Sequence, residues 1–416
     1  MTMTLDPICA NLQGSARKRW FDVTAIVFFV LVVVFTFFMC LYEISIDYMD
    51  YQVHTNIAGD FDFTDLHSIT SRLAYPLWHI LVAIIHQLGV KLEWAAAGVS
   101  ALCKGLIFLL TYRLVLAASW DQAKRWVVSL ISLALMVVTA LWIEPVNPLV
   151  YKGIGSPNVW HNPTQQAVIL AQLIVMPWLC HCWYDFERRV ENGEAGVMLP
   201  WWKVFVLAFV GMGSLACKPT FMQALLPAAF VMYLAELCRR PKEWRYFAQI
   251  VLAFLPSAAY FLLQYLYYTG VVVMYTSGVA FGVTLESALD AVRSALMMNA
   301  APLLAIIVCC RKGLFRDRSL VLALLMVVFS ALEVMAFRET GLREGHGNFG
   351  WAAYSSSFYL WVVMAGIFLR SLFTVVKAGM SRLRKTGYAA VAAAFAWHVI
   401  SGVYYLYLLI GDQRPF

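Results

Sequence analysis

Charged residues are scarce in this chain. Asp, Glu, Lys and Arg make up 13% of its 416 residues, against 62% hydrophobic, and the mean hydropathy is +0.72. A water-soluble fold cannot hide that much apolar surface, whereas lipid can cover it. The sequence shows no internal repeat and no low-complexity linker. It also lacks a cysteine framework: the Cys180/Cys182 and Cys309/Cys310 pairs have no matching second pair, so they read as packing or lipid-facing thiols rather than metal ligands. No small-residue cleavage site follows the first apolar run, Asp22 to Leu41, which therefore reads as a signal anchor. The formal charge of +7 is not a nucleic-acid footprint, because the excess sits in short loops between apolar segments.

Long apolar runs predict a polytopic, all-α membrane protein with eleven spans. They fall near 21–42, 94–117, 126–144, 167–185, 201–217, 219–237, 246–268, 297–310, 320–337, 352–376 and 388–410. The segment Pro76 to Gly89 is too short to cross. Its polar positions His79, His86 and Gln87 share a helical face, so it is expected to lie flat in the outer interface. With the N-terminus in the cytoplasm and the C-terminus outside, 22 Lys and Arg residues fall inside and eight outside, with Lys104 within a span. Aromatic residues, 15% of the chain, suit belts at both interfaces. A single transmembrane domain is expected over residues 1–416, with outer loops 43–75, 145–166, 269–296 and 338–351 and no soluble domain.

The outer side is chemically distinct, carrying 14 of the 24 acidic residues. If the first helix continues beyond the bilayer, Asp47, Asp50 and His54 share one face at spacings of three and four. Carboxylates there suit a general base, and the same trio suits a divalent cation; a solvated acidic loop is the plain alternative. The loop 145–166 is rich in Pro and Gly and ends in Trp160, His161 and Asn162 at a helix start. Asn162 or Thr164 can cap that helix, and the helix end can receive an anion carrying a sugar. Lys218 breaks an apolar hairpin, either as a snorkelling cation or as a partner for a lipid phosphate. The stretch Phe337 to Trp351 packs Arg338, Glu339, Arg343, Glu344, His346 and Asn348 among glycines that let backbone approach a ligand; the alternative is a mobile loop of internal Arg–Glu pairs. Within the bilayer, Lys104 suggests a buried pairing or a proton path, and His398 a satisfied packing histidine.

Together these features resemble the GT-C superfamily of integral membrane glycosyltransferases, in which an acid-bearing outer loop and an interfacial helix follow the first span. Asp47 and Asp50 occupy the acid position, and Tyr75 to His79 matches the start of the interfacial helix. The acid motif departs from the commoner Arg-Asp-Glu and Asp-x-Asp patterns, and no C-terminal soluble domain is evident. The resemblance implies a polyprenyl-phosphate-linked sugar donor and inverting transfer to a saccharide or glycoconjugate acceptor in cell-envelope polysaccharide assembly. Asp47 or Asp50 would act as base, and Lys218, Arg338 and Arg343 would receive the phosphate. His54, His79, Trp160, His161, Asn162, Glu339, Glu344, His346 and Asn348 would line the substrates. No cofactor is required by this reading beyond the optional divalent cation, and no nucleic acid is a partner. A flippase or transporter of lipid-linked saccharide and a polysaccharide polymerase or ligase are the alternatives.

Overall fold

The computed structural model describes residues 22–70, 74–120, 122–268, 277–310, 317–341 and 347–411. Fourteen α-helices carry the fold: α1 (Val23–Ile44), α2 (Asp50–Gly59), α3 (Leu66–Thr70), α4 (Leu77–Gln87), α5 (Leu92–Ala118), α6 (Arg125–Leu135), α7 (Pro163–Glu191), α8 (Trp201–Cys217), α9 (Thr220–Arg239), α10 (Trp244–Tyr268), α11 (Leu285–Cys309), α12 (Arg318–Ala336), α13 (Trp351–Ala378) and α14 (Arg382–Ile410). Among the described residues nine are long and apolar enough to cross a membrane, while α4, α6 and α8 are shorter apolar helices. The chain is a multi-pass helical protein. Large apolar side chains such as Val30, Phe38, Phe209 and Leu263 remain exposed on the bundle exterior, which water would not tolerate on this scale and lipid would.

Three sequence expectations need correction. The first helix does not continue through Asp47: it ends at Ile44, Tyr48 takes φ 67°, and a new helix begins at Asp50. A non-glycine residue in the left-handed region breaks helical spacing, so Asp47 leaves the face shared by Asp50 and His54. The expected span 126–144 is helical only through Leu135, although the apolar residues 136–144 that follow contain neither Pro nor Gly. Residues 136–162 run as irregular backbone held by the rest of the protein. Leu141 N–H donates to the Met297 carbonyl at 2.9 Å, Trp142 N–H donates to Ser401 Oγ at 2.9 Å, and the Asn158 amide donates to the Leu135 and Val138 carbonyls at 2.7 and 3.0 Å. Non-helical backbone at membrane depth is tolerated only when its polar groups are met internally in this way.

The third correction concerns the stretch 269–296, expected as a loop. From Leu285 it is already helix, started by a reciprocal Thr284–Ser287 cap. The all-α expectation holds, with one small two-stranded ribbon added to the helices. β1 (Ser277–Phe281) and β2 (Phe337–Gly341) pair antiparallel, with Val279 opposite Glu339 and Ala280 opposite Arg338.

The two ends of the bundle differ. One gathers ion pairs around Glu236, which meets Arg240 at 2.9 Å and Arg318 at 3.3 Å. The other gathers α2, α4, the end of the irregular crossing, the α8–α9 turn and the β ribbon, and holds the residues singled out above.

Candidate functional site

Asn162 organises the site. It is the N-cap of α7, and its Oδ1 accepts from Gln165 N–H at 2.9 Å and from the Thr164 hydroxyl at 2.8 Å. That leaves the side-chain amide aimed at Asp50, where Nδ2 donates to Oδ2 at 2.7 Å. Lys218 Nζ reaches the same Asn162 Oδ1 at 3.4 Å. One asparagine thus joins a carboxylate from α2 and an ammonium from the α8–α9 turn, at the positively polarised start of a 29-residue helix. Lys218 is 6% exposed and its Nζ lies 3.5 Å from the Trp351 ring centroid, so the indole face replaces part of the water the cation has lost.

The electrostatics follow from burial. The Lys218 ammonium is lowered to about 7 by loss of water, which Asp50 partly opposes. Burial acts to raise the Asp50 carboxyl, yet His161, His54, the Asn162 hydrogen bond and Lys218 outweigh it and hold it below the usual carboxylate value. Asp50 is therefore ionised at neutral pH. His54 and His161 are each lowered to about 4 by burial, with Lys218 adding and Asp50 opposing, so both imidazoles are neutral.

Each histidine is fixed from behind. His161 Nδ1 meets the Tyr405 hydroxyl at 2.7 Å, and its ring sits edge-on to Tyr151 at 4.9 Å. Val150, just before Tyr151, is buried at φ 63°, a strained conformation for a β-branched residue that places the aromatic wall beside the site. His54 Nδ1 lies 2.8 Å from His79 Nε2, and His79 is fully buried rather than facing outward on α4.

An open cleft of about 790 Å³ adjoins Lys218, bounded by Trp351, Phe349, Phe261, Tyr265, Gln223 and Gln264 and roofed by Gly278, Val279 and Glu339 of the ribbon. Alternation along β2 explains the roof: Glu339 lines the cleft, while Arg338 is exposed. Glu339 is occupied, since Asn348 donates to it from its side chain at 2.6 Å and from its backbone at 3.2 Å.

The structure therefore brings Asp50, His54, His79, His161, Asn162 and Lys218 together, and places Glu339 and Asn348 on the adjoining cleft. Asp47 does not join them: it is exposed and accepts from Gln52 at 2.7 Å. The trio Asp47, Asp50 and His54 consequently does not form a cation site, and among the described residues no three His, Cys, Asp or Glu side chains are grouped to hold a metal ion. Arg338 is exposed and does not line the cleft beside Lys218. Trp160 is buried one layer below, its ring 4.2 Å from Lys104 Nζ, and Lys104 donates to Asn158 at 3.1 Å. Lys104 is thus a buried pairing that braces the irregular crossing. His398 is a satisfied packing histidine, 2.5 Å from the Thr139 carbonyl. Arg343, Glu344 and His346 lie outside the described residues. The sequence reading missed Gln223, Gln264, Trp351 and Tyr405; each lies in an apolar helical run whose spacing looks like ordinary packing. No protein-family model, curated protein or solved structure matches this chain.

Proposed function

We propose that this chain is a GT-C-type membrane glycosyltransferase that moves a sugar from a polyprenyl-phosphate carrier to an acceptor hydroxyl on the extracytoplasmic side. The observation that carries the reading is the Asn162 bridge, which sets an ionised carboxylate and a buried cation side by side in one pocket. Such a pair suits a displacement in which a proton is removed at one atom while negative charge grows at another. Asp50 takes the acceptor O–H proton as the acceptor oxygen bonds to the anomeric carbon. The bond from that carbon to the phosphate oxygen breaks, and Lys218 receives the charge left on the phosphate. Attack opposite the leaving group inverts the anomeric centre. Neutral His161 and His54 flank Asp50 and orient the reacting hydroxyl.

Adding α8 and the half-helical crossing 125–162 to the nine long helices gives eleven crossings. That count and the Lys and Arg bias support a reading in which the N-terminus is cytoplasmic, the C-terminus outside, and the Asp50 pocket at the outer face of the cell membrane. The test is reconstitution in liposomes with radiolabelled polyprenyl-phosphate sugars. Label reaching a saccharide acceptor, lost in Asp50→Asn and retained in Asp47→Asn, supports the reading. Label that only changes leaflet, or transfer that survives Asp50→Asn, overturns it.

A further inference from the structure

The cleft beside Lys218 contains a feature the bond-making pair does not use. Gln264 is 2% exposed, and its amide nitrogen donates to the Ala74 carbonyl at 2.9 Å and the Leu215 carbonyl at 2.8 Å. Both donors are committed, so the orientation of the amide is fixed and its oxygen must be an acceptor. Among the described residues that oxygen is buried and has no hydrogen-bond partner, as is true of Gln223 Oε1, and both residues line the cleft. A buried acceptor without a donor is costly to keep, and here two belong to residues that line one cavity, which marks a binding feature rather than a packing one. The same cleft is lined by the apolar surfaces of Phe261, Phe349 and Trp351. Glu339 adds a carboxylate to the roof, already held by Asn348.

We propose that this cleft is the sugar subsite, and that it selects an uncharged sugar whose hydroxyls donate to Gln264 and Gln223 while its phosphate meets Lys218. This rests on the lipid-phosphate reading above and adds the class of sugar. A pyranose offers what the walls lack: O–H donors at its rim for the amide oxygens, and a C–H face for the aromatic surfaces. An acidic sugar brings a carboxylate toward two amide oxygens and Glu339, so acceptors meet acceptors. The subsite therefore discriminates by sign: hydroxyl donors are received, and anionic substituents are repelled.

The experiment measures binding of the full-length protein in nanodiscs to three probes: polyprenyl phosphate, a polyprenyl-phosphate hexose and a polyprenyl-phosphate hexuronate. The hexose lipid is expected to bind about tenfold or more tightly than the hexuronate lipid, as one hydrogen bond gained or opposed would give. Gln223→Met, which removes the acceptor and breaks no side-chain hydrogen bond among the described residues, should weaken the hexose lipid about tenfold and leave polyprenyl phosphate unchanged. Gln264→Leu should do the same, with thermal unfolding reporting any loss of the Ala74 and Leu215 ties. Equal binding of hexose and hexuronate lipids, or full hexose affinity in Gln223→Met, overturns the sugar subsite alone. Failure of the wild type to bind polyprenyl phosphate instead overturns the lipid-phosphate reading on which the subsite depends.

Discussion

Asn162 performs two jobs that substitution can separate. As N-cap it satisfies the start of α7, and as donor it supports the Asp50 carboxylate. Asn162→Ala removes both. Loss of the cap costs about 1 kcal/mol, and loss of a hydrogen bond to a charged group costs about 1.5–3 kcal/mol. The protein should therefore unfold at a distinctly lower temperature. Asn162→Asp retains an equally good cap but turns the group facing Asp50 from donor into acceptor, and from neutral into acidic. Two carboxylates at a contact that was 2.7 Å cannot both ionise freely, so one proton is retained between them and the affinity of Asp50 for a proton rises. A base works only when deprotonated, and activity is lost as pH falls through its pKa. In the wild type that value is held low, so the acid limb of the rate profile should lie below the ordinary carboxylate range. In Asn162→Asp the limb should move upward by about one pH unit or more, equivalent to about 1.4 kcal/mol per unit. The assay is the pH dependence of sugar transfer in liposomes, read alongside thermal unfolding. An acid limb unchanged in Asn162→Asp, with the fold intact, would refute the assignment of Asp50 as the base supported by Asn162.

Lys218, lowered to about 7 by burial, is charged on the acid side of neutrality and neutral on the alkaline side; affinity for a phosphodiester-linked sugar lipid, which does not itself titrate there, should fall as pH rises from 6.5 to 8.5, and Lys218→Arg should abolish that pH dependence. Lys104→Met should lower thermal stability and transfer together by releasing Asn158 from its cation, whereas transfer at the wild-type rate in a stable Lys104→Met protein would exclude the bracing role. Acid should destabilise the fold before it protonates exposed carboxylates. His54 and His161 bind a proton near 4 when folded and near 6.5 when unfolded, so between those values the unfolded chain holds more protons and stability falls with pH, by about 1.4 kcal/mol per unit per histidine. His54→Gln should flatten that slope in unfolding experiments between pH 7 and 4.5, and an unaltered slope would show that His54 is not buried neutral.

What the sequence made legible was what hydropathy and local chemistry encode. Helices such as Trp201–Cys217 and Thr220–Arg239 announce themselves because Lys218 and Pro219 interrupt an otherwise continuous apolar run, and Asn162 before Pro163 reads as a helix start without any tertiary knowledge. Asp50, His161 and Lys218 were visible for the same reason: polar groups at the ends of apolar segments stand out. The misreadings arose where backbone conformation departs from period and composition. Hydropathy treats Ile131 and Trp142 alike, yet one lies in a helix and the other in irregular chain whose carbonyls are met by Asn158, more than fifteen residues away in sequence. Asp47 was grouped with Asp50 because helical spacing was carried through Tyr48, and one positive φ angle undoes that grouping. Gln223 and Gln264 were invisible for a deeper reason. An amide within an apolar helix normally means a satisfied tie between helices, and Gln264 is such a tie through its nitrogen. Only the arrangement of three dimensions shows that its oxygen is left without a partner among the described residues, on a side chain lining the same cavity as Lys218. In a membrane protein this distinction between a polar group that is used up and one that remains free separates packing from recognition. It depends on partners drawn from helices far apart in the chain, which no local pattern of residues can record.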